Sequence, residues 1–286
     1  MEVDTLGKHE LEKKHKINNK SKNNKNNEIK SKANKRAKPN KNNRIKRKIL
    51  LIVQVIFIIV LIVTGIEIIK WFMDNNSNSK ILANIATAIS VIDNDNENKK
   101  KYEIDFEKMK KINEQTVAWL KVNNTKVEYP VVKAMDNSFY LTHNFEKNLN
   151  KAGWVFADYR NKFDGTDKNI IIYGHNMKDD SMLGSLKEVL NEKWYNNEEN
   201  KYITFITENE NVVYEVFSVY QIEKEDYYIT TGFSENEFSK FLSTIKSRSV
   251  KDFNVDVSDQ DNILTLSTCA NNNKYRVVLH AKKKIS

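Results

Sequence analysis

Asn262-Ile263-Leu264-Thr265-Leu266-Ser267-Thr268-Cys269, a polar stretch over 270–274 with three consecutive Asn, and then Tyr275-Arg276-Val277-Val278-Leu279 form the part of this 286-residue chain whose reading decides its fold. Val, Ile, Leu and Thr dominate both flanks, and the Asn-rich middle has the composition of a turn. The pattern predicts a β-hairpin with Cys269 at the tip of one strand and Arg276 near the start of the next. Neighbouring strands lie about 5 Å apart, so the guanidinium comes close to the sulfur. Cys269 is the chain's only cysteine. A lone cysteine serves well as a small buried hydrophobe. A thiol beside a permanent cation is also a candidate nucleophile, because positive charge favours the reactive thiolate.

Outward from this hairpin, strand signals recur at 125–132, 153–159, 169–175, 202–207, 212–222 and 227–230, with a turn at 208–211. Helical spacing is seen at 79–92, in the stripe Phe106, Met109, Ile112, Val117 and Leu120 with Asp105 as N-cap, and at 181–192. Residues 136–141 read as a helical turn, and 234–248 as a helix opened by the capping-box pair Ser234 and Glu237. About eight strands with few helices predict a mainly β fold, a closed or nearly closed barrel with helical insertions. Gly and Pro are scarce, 7 and 2 in all, so Asn and Asp are expected to serve the turns.

The net charge of +9 is unevenly spread. Residues 1–48 hold 17 Lys and Arg against 5 Asp and Glu, whereas the other 238 residues hold 30 and 33. The basic, Asn-rich tail lacks apolar periodicity and is expected to be disordered. Nucleic-acid binding is one use of such a tail, but the neighbouring segment supplies a better one. Residues 49–66 are apolar on every face save Gln54, Thr64 and Gly65, cover about 27 Å as a helix, and are followed by Trp71 and Phe72. Ten Lys or Arg lie within 30–48 against two within 67–86, which places the tail in the cytoplasm and the rest outside. Ala86-Thr87-Ala88 has the small-residue spacing of a cleavage site but lies far beyond the apolar run, so an uncleaved signal-anchor is expected. The expected division is a tail at 1–48, a transmembrane helix at 49–72, a helical stalk and linker at 73–104, and an extracytoplasmic domain at 105–286. Outside the cytoplasm, a single cysteine has no internal disulfide partner, so it is either inert and buried or kept for its reactivity.

A thiol nucleophile needs a base, and five His are present. His9 and His15 lie in the tail, and His143 follows a polar helical turn. His280 shares a strand face with Arg276 but roughly 13 Å away. His175 ends the apolar run Ile170-Ile171-Ile172-Tyr173-Gly174, a rigid base with an exposed tip. Metal binding finds no ligand spacing beyond the pair Asp179-Asp180, and phosphate-binding glycine loops are absent. No metal or cofactor is expected.

Thr265-Leu266-Ser267-Thr268-Cys269 with Arg276, and Ile172-Tyr173-Gly174-His175-Asn176-Met177 upstream, resemble the sortases, class B in particular. Supporting matches are Tyr129-Pro130-Val131-Val132, Asp136-Asn137 with Tyr140-Leu141, Ala152-Gly153 with Phe156, Asp158-Tyr159-Arg160-Asn161, and Lys178-Asp179 with Ser181-Met182. The similarity runs from about residue 106 to 282, and the helix at 234–248 looks like the class B insertion. The resemblance implies an eight-stranded β-barrel and a cysteine transpeptidase of Gram-positive cell surfaces. It cuts the C-terminal sorting signal of a secreted protein after Thr and joins the product to a cell-wall or pilin amine. By motif, Cys269 is the nucleophile, His175 the acid/base and Arg276 the oxyanion-stabilising residue, with Asn137, Leu141, Tyr228, Ile229, Ser267 and Thr268 lining the substrate groove. Implied partners are sorting-signal proteins and a lipid-linked wall precursor or pilin amine. Some class B members carry an acid directly after the cysteine; here Ala270 stands there.

Two other readings make different predictions. A secreted Cys/His peptidase or peptidoglycan hydrolase transfers to water rather than to an amine, although papain-like enzymes place Cys before His and this chain does the reverse. A non-enzymatic membrane-tethered barrel leaves Cys269 inert to thiol reagents.

Overall fold

The short strands read from the sequence pair into one sheet that closes on itself. The computed structural model describes residues 41–94, 99–234, 236–269 and 274–284, Cys269 through its backbone. Residues 1–40 of the tail expected at 1–48, part of the linker and Ala270 lie outside the described residues, and 41–48, expected to be disordered, are helical. The elements relevant to the site are α1 (Lys41–Ala86), β1 (Ile89–Asn94), β2 (Lys99–Ile104), α2 (Phe106–Ile112), β3 (Thr116–Val122), β4 (Glu128–Val132), β5 (Phe156–Ala157), β6 (Asn169–His175), α3 (Glu192–Tyr195), β7 (Tyr202–Ile206), β8 (Asn211–Glu223), α4 (Glu237–Ser247), β9 (Ile263–Cys269) and β10 (Tyr275–Lys283). Eight strands form a closed barrel in the order β10-β8-β7-β3-β4-β5-β6-β9, with β1 and β2 a separate antiparallel pair. Two barrel contacts are parallel, β4 with β5 and β6 with β9. The core is filled by Trp119, Leu120, Ile171, Ile172, Phe205, Phe217 and Leu266, among others.

Several elements depart from the sequence expectations. The stripe from Phe106 to Leu120 is helical only to Ile112. Asn113 stops it: its Nδ2 donates to the Tyr140 hydroxyl (2.8 Å) and the Phe145 carbonyl (2.7 Å), and its Oδ1 accepts from Gln115 N. The chain turns there and β3 begins. The helix expected at 79–92 ends at Ala86, and β-branched Ile89, Val91 and Ile92 enter β1. The strand at 153–159 contracts to β5, because Gly153 takes a left-handed φ of +58°. Residues 227–230 are no strand but a 3₁₀ turn, Tyr227–Ile229. The helix at 181–192 is a 3₁₀ segment, Gly184–Leu190, followed by α3. α4 starts later than the capping pair suggests, with Asn236 rather than Ser234 as N-cap, although Glu237 Oε2 does accept the Ser234 N–H (2.9 Å). Asn124, Asn236, Asn254 and Asp180 take positive φ, the turn role foreseen for Asn and Asp.

The described chain falls into two units, 1–67 and 68–286. The first carries the apolar stretch of α1, a helix long and apolar enough to cross a membrane, and the side chains of that stretch are exposed. In the second, Ile81, Ile85 and Ala88 join the barrel core. Asn150 Nδ2 donates to the Asp74 carbonyl (3.2 Å) and Asn78 Oδ1 (3.0 Å), and Lys151 N to Asp74 Oδ2 (3.1 Å).

Candidate active site

β6 carries Ile170, Ile171, Ile172 and Tyr173, and is placed so that both its neighbours cover it. It pairs with β9 in parallel register from Asn169 opposite Ile263 to His175 opposite Cys269. Gly174 is needed there, since a Cβ would lie 2.6 Å from Leu183 Cγ. On its other edge β9 pairs antiparallel with β10, the last pair being Ser267 with Val278. The ladder stops there, where Thr268 Oγ1 takes the Val277 N–H, so Arg276 lies two positions past the last pair, at the start of the strand beside β9. His175 and Cys269 thus form a row across β6 and β9, about 4.8 Å apart, with Arg276 on the strand flanking β9.

His175 is half-buried and its orientation is fixed. Its Nε2–H donates to the Leu141 carbonyl at 2.7 Å, which leaves Nδ1 as the nitrogen free to exchange a proton. Leu141 ends a 3₁₀ turn, Phe139–Leu141, that Asp136 holds by accepting from Ser138 N, Ser138 Oγ and Phe139 N. The Ser138 side chain and then the two backbone N–H groups keep the Asp136 carboxyl below the usual carboxylate range. Gly153 packs beneath this turn. A Cβ there would sit 2.3 Å from the Tyr140 carbonyl, 3.0 Å from the Leu141 carbonyl and 3.1 Å from His175 Cδ2.

Arg276 is 8% exposed, yet among the described residues no carboxylate pairs with it. Its guanidinium makes one described hydrogen bond, Nη1 to the Tyr275 carbonyl at 3.1 Å. A buried cation with donors left over is costly, and such a group fits a place where negative charge arrives from outside.

The residues expected to line a groove are placed unequally. Leu141, Asn137 and Ile229 are partly exposed, whereas Tyr228, Ser267 and Thr268 are buried. The Tyr228 and Ser267 hydroxyls bond each other (3.0 Å), and Thr268 Oγ1 accepts from Val277 N (2.9 Å). The Asn137 side chain spans Asp158 Oδ2 (3.0 Å) and Tyr159 N (3.0 Å). His143 stacks on Phe139 at 4.1 Å. His280 is fully buried between the Tyr220 hydroxyl (2.8 Å) and Thr265 Oγ1 (2.9 Å). Sequence reasoning gave no role to Asp158 and Arg160. Their one local signal is the i, i+2 acid–base pair inside a matched motif.

A family model described as the sortase domain matches residues 120–284. Among curated proteins, sortase B of Listeria monocytogenes is 39% identical over 180 residues, 61% of this chain and 72% of the relative. Sortase B from Bacillus anthracis in complex with AAEK1 superposes with a TM-score of 0.65 at 35% identity, covering 75% of this chain and 100% of that one. A structure of sortase B complexed with triglycine gives a TM-score of 0.60 at 35% identity, covering 64% and 86%.

Proposed function

The chain belongs to the sortase family, class B, a family of cysteine transpeptidases, and on that premise we propose that it cleaves a secreted protein's C-terminal sorting signal after Thr and joins the product to an amine. The observation that supports this reading is the pairing of His175 with Cys269 across β6 and β9, with Arg276 at the start of the adjoining strand β10. Arg276 favours the thiolate of Cys269, which attacks the Thr carbonyl carbon. The C–O electron pair moves onto oxygen, and Arg276 stabilises that charge with donors that no described carboxylate engages. Protonated His175 gives the Nδ1 proton to the leaving amine as the C–N bond breaks, and a thioester remains. Neutral His175 then takes a proton at Nδ1 from the incoming amine, whose nitrogen forms the new C–N bond and expels the thiolate. Throughout, Nε2–H stays on the Leu141 carbonyl, so one nitrogen holds the ring and the other does the chemistry.

Peptide binding is assigned to Asn137, Leu141, Tyr228, Ile229, Ser267 and Thr268. The acceptor is a glycine-type amine of the cell wall or a pilin amine, and triglycine is the natural probe, given the triglycine complex of the related protein. The division into tail (1–48), anchor (49–72), stalk (73–104) and catalytic domain (105–286), with the domain outside, follows from the apolar helix and the charge asymmetry around it. That topology sets the site beside lipid-linked wall precursors and emerging clients. The test is a pentapeptide library with Thr fixed in the fourth position, incubated with the full-length chain with and without triglycine and read by mass spectrometry. Transfer to triglycine is expected. Cleavage with water as sole acceptor indicates a hydrolase, and an uncleaved library with an unreactive thiol indicates a binding barrel.

A further inference from the structure

One layer below the catalytic row, on the same strand face, Tyr173 of β6 stands opposite Ser267 of β9. The Tyr173 hydroxyl donates to Asp158 Oδ2 at 2.8 Å, and the Asp158 carboxylate is the centre of a larger network. It is completely buried. Its Oδ1 accepts from Arg160 Nε (2.8 Å) and Arg160 N (3.0 Å), and its Oδ2 from Arg160 Nη2 (2.7 Å) and Asn137 Nδ2 (3.0 Å) as well as Tyr173. Arg160 Nη2 reaches onward to the Ile229 carbonyl at 2.9 Å. Next to it, Asn169 Nδ2 donates to the Thr230 carbonyl at 2.9 Å. Burial by itself would push the Asp158 pKa up, but the hydrogen bonds from Arg160 and Tyr173 and the Arg160 charge outweigh it and hold it below the usual range.

Five donors on one buried carboxylate exceed what holding a two-residue turn requires. Besides the Tyr173 bond, the pair reaches two turns far away in sequence, Asp158 the turn around Asn137 and Arg160 the turn at Tyr227–Ile229. The first carries Leu141, whose carbonyl orients His175; the second carries Tyr228, bonded to Ser267 beneath the thiol strand. We propose that the Asp158–Arg160 pair is a positioning device for peptide binding, tying segment 136–141 to segment 227–230 so that the groove they form keeps one width. This rests on the reading of those two segments as the peptide groove. The planar fork matters: Nε and Nη2 engage the two carboxylate oxygens side by side while Nη2 also reaches Ile229, and a lysine offers no such geometry. Asp158 and Arg160 need not touch the reacting atoms, so their loss acts on binding before it acts on chemistry.

The experiment compares Arg160→Lys, Arg160→Ala and Asp158→Asn in the full-length chain in detergent micelles. Three readouts are taken: KM and kcat for the best-cleaved library pentapeptide with triglycine as acceptor, amide hydrogen exchange over 136–141 and 227–230, and the pH profile of Cys269 alkylation by iodoacetamide. Expected for Arg160→Lys is a peptide KM raised about tenfold, with larger increases for the other two. Faster exchange is expected in both segments, with an unchanged KM for triglycine and an unchanged alkylation profile. Should Asp158→Asn fail to fold, as removing a buried charge from its partner can cause, the Arg160 variants carry the test. Unchanged peptide KM, or exchange that rises in neither segment or only one, overturns the proposal. If the wild-type chain turns over no peptide, the groove reading falls and the role in peptide binding with it, while the exchange data separately decide whether the tie between the segments exists.

Discussion

The row at the end of β6 and β9 and the polar chain buried under α4 use the same kinds of side chain to opposite ends. At the row, His175 is half-buried with one nitrogen held and one free, and Arg276 keeps donors with no described carboxylate to receive them. Under α4, every member is matched. Thr265 Oγ1 donates to Asn169 Oδ1 (2.7 Å) and so accepts from His280 Nδ1–H, which leaves Nε2 to accept from the Tyr220 hydroxyl. Burial, and then the charge of Arg248, depress the His280 pKa to about 3, so this imidazole stays neutral. Saturated polar groups hold a fold together; unsaturated ones wait for a substrate. Burial alone does not tell the two apart, because Arg276 is nearly as covered as His280.

Substitutions break the comparison in graded steps. Cys269→Ala is expected to lower acyl transfer by about 10⁴-fold while leaving the thermal midpoint unchanged, since the nucleophile is lost and the sheet is not. Transfer assays and a melting curve on the same sample check this; residual transfer near the wild-type rate would remove the thiol from the mechanism. Arg276→Lys keeps the charge but loses the fork, and a fall in kcat of about 10²-fold is expected without loss of stability. Turnover close to normal would mean that charge alone suffices at this end of the barrel.

The interior should respond in stability and leave specific activity alone. His280 has a folded pKa below its ordinary value near 6.5, so below that pH the unfolded chain takes up a proton that the folded chain refuses. The stability it contributes is complete above about pH 6.5 and declines as pH falls toward about 3, by about 1.4 kcal/mol per unit over most of that window. Denaturant midpoints measured from pH 7 to pH 4 would show this slope, and His280→Leu should flatten it. An equal slope in the variant would assign the acid sensitivity elsewhere. The smallest effect belongs to Thr265→Val, which leaves the His280 Nδ1–H and the Asn169 side-chain Oδ1 each without that partner. A loss of about 1–2 kcal/mol is expected, with kcat/KM per folded molecule unaltered.

What could be read without coordinates follows the physics of each segment. β6 was legible to the residue because an unbroken apolar run bounded by polar residues means a strand covered on both faces. β3 was not: Ala118, Trp119 and Leu120 are consecutively buried, so there is no alternation to see. The positions of Val117 and Leu120 also continue the helical spacing of α2 by coincidence. Tyr227-Tyr228-Ile229-Thr230 has strand composition, but the carbonyls of Ile229 and Thr230 are claimed by Arg160 and Asn169, 69 and 61 residues away, and the segment turns. At the mouth, the motif residues could be named in advance, since each ends or begins a recognisable strand. The support beneath them could not. Asp158 draws on Asn137 and Tyr173, 21 and 15 residues away, contacts that no local pattern announces.

The parallel pairing of β6 with β9 carries a last consequence. Two strands pointing the same way cannot be joined by a tight turn, so the pairing that sets Cys269 opposite His175 closes a crossover running from 176 to 262. Closing so long a loop costs chain entropy, and the pair is a long-range contact of the kind that slows folding.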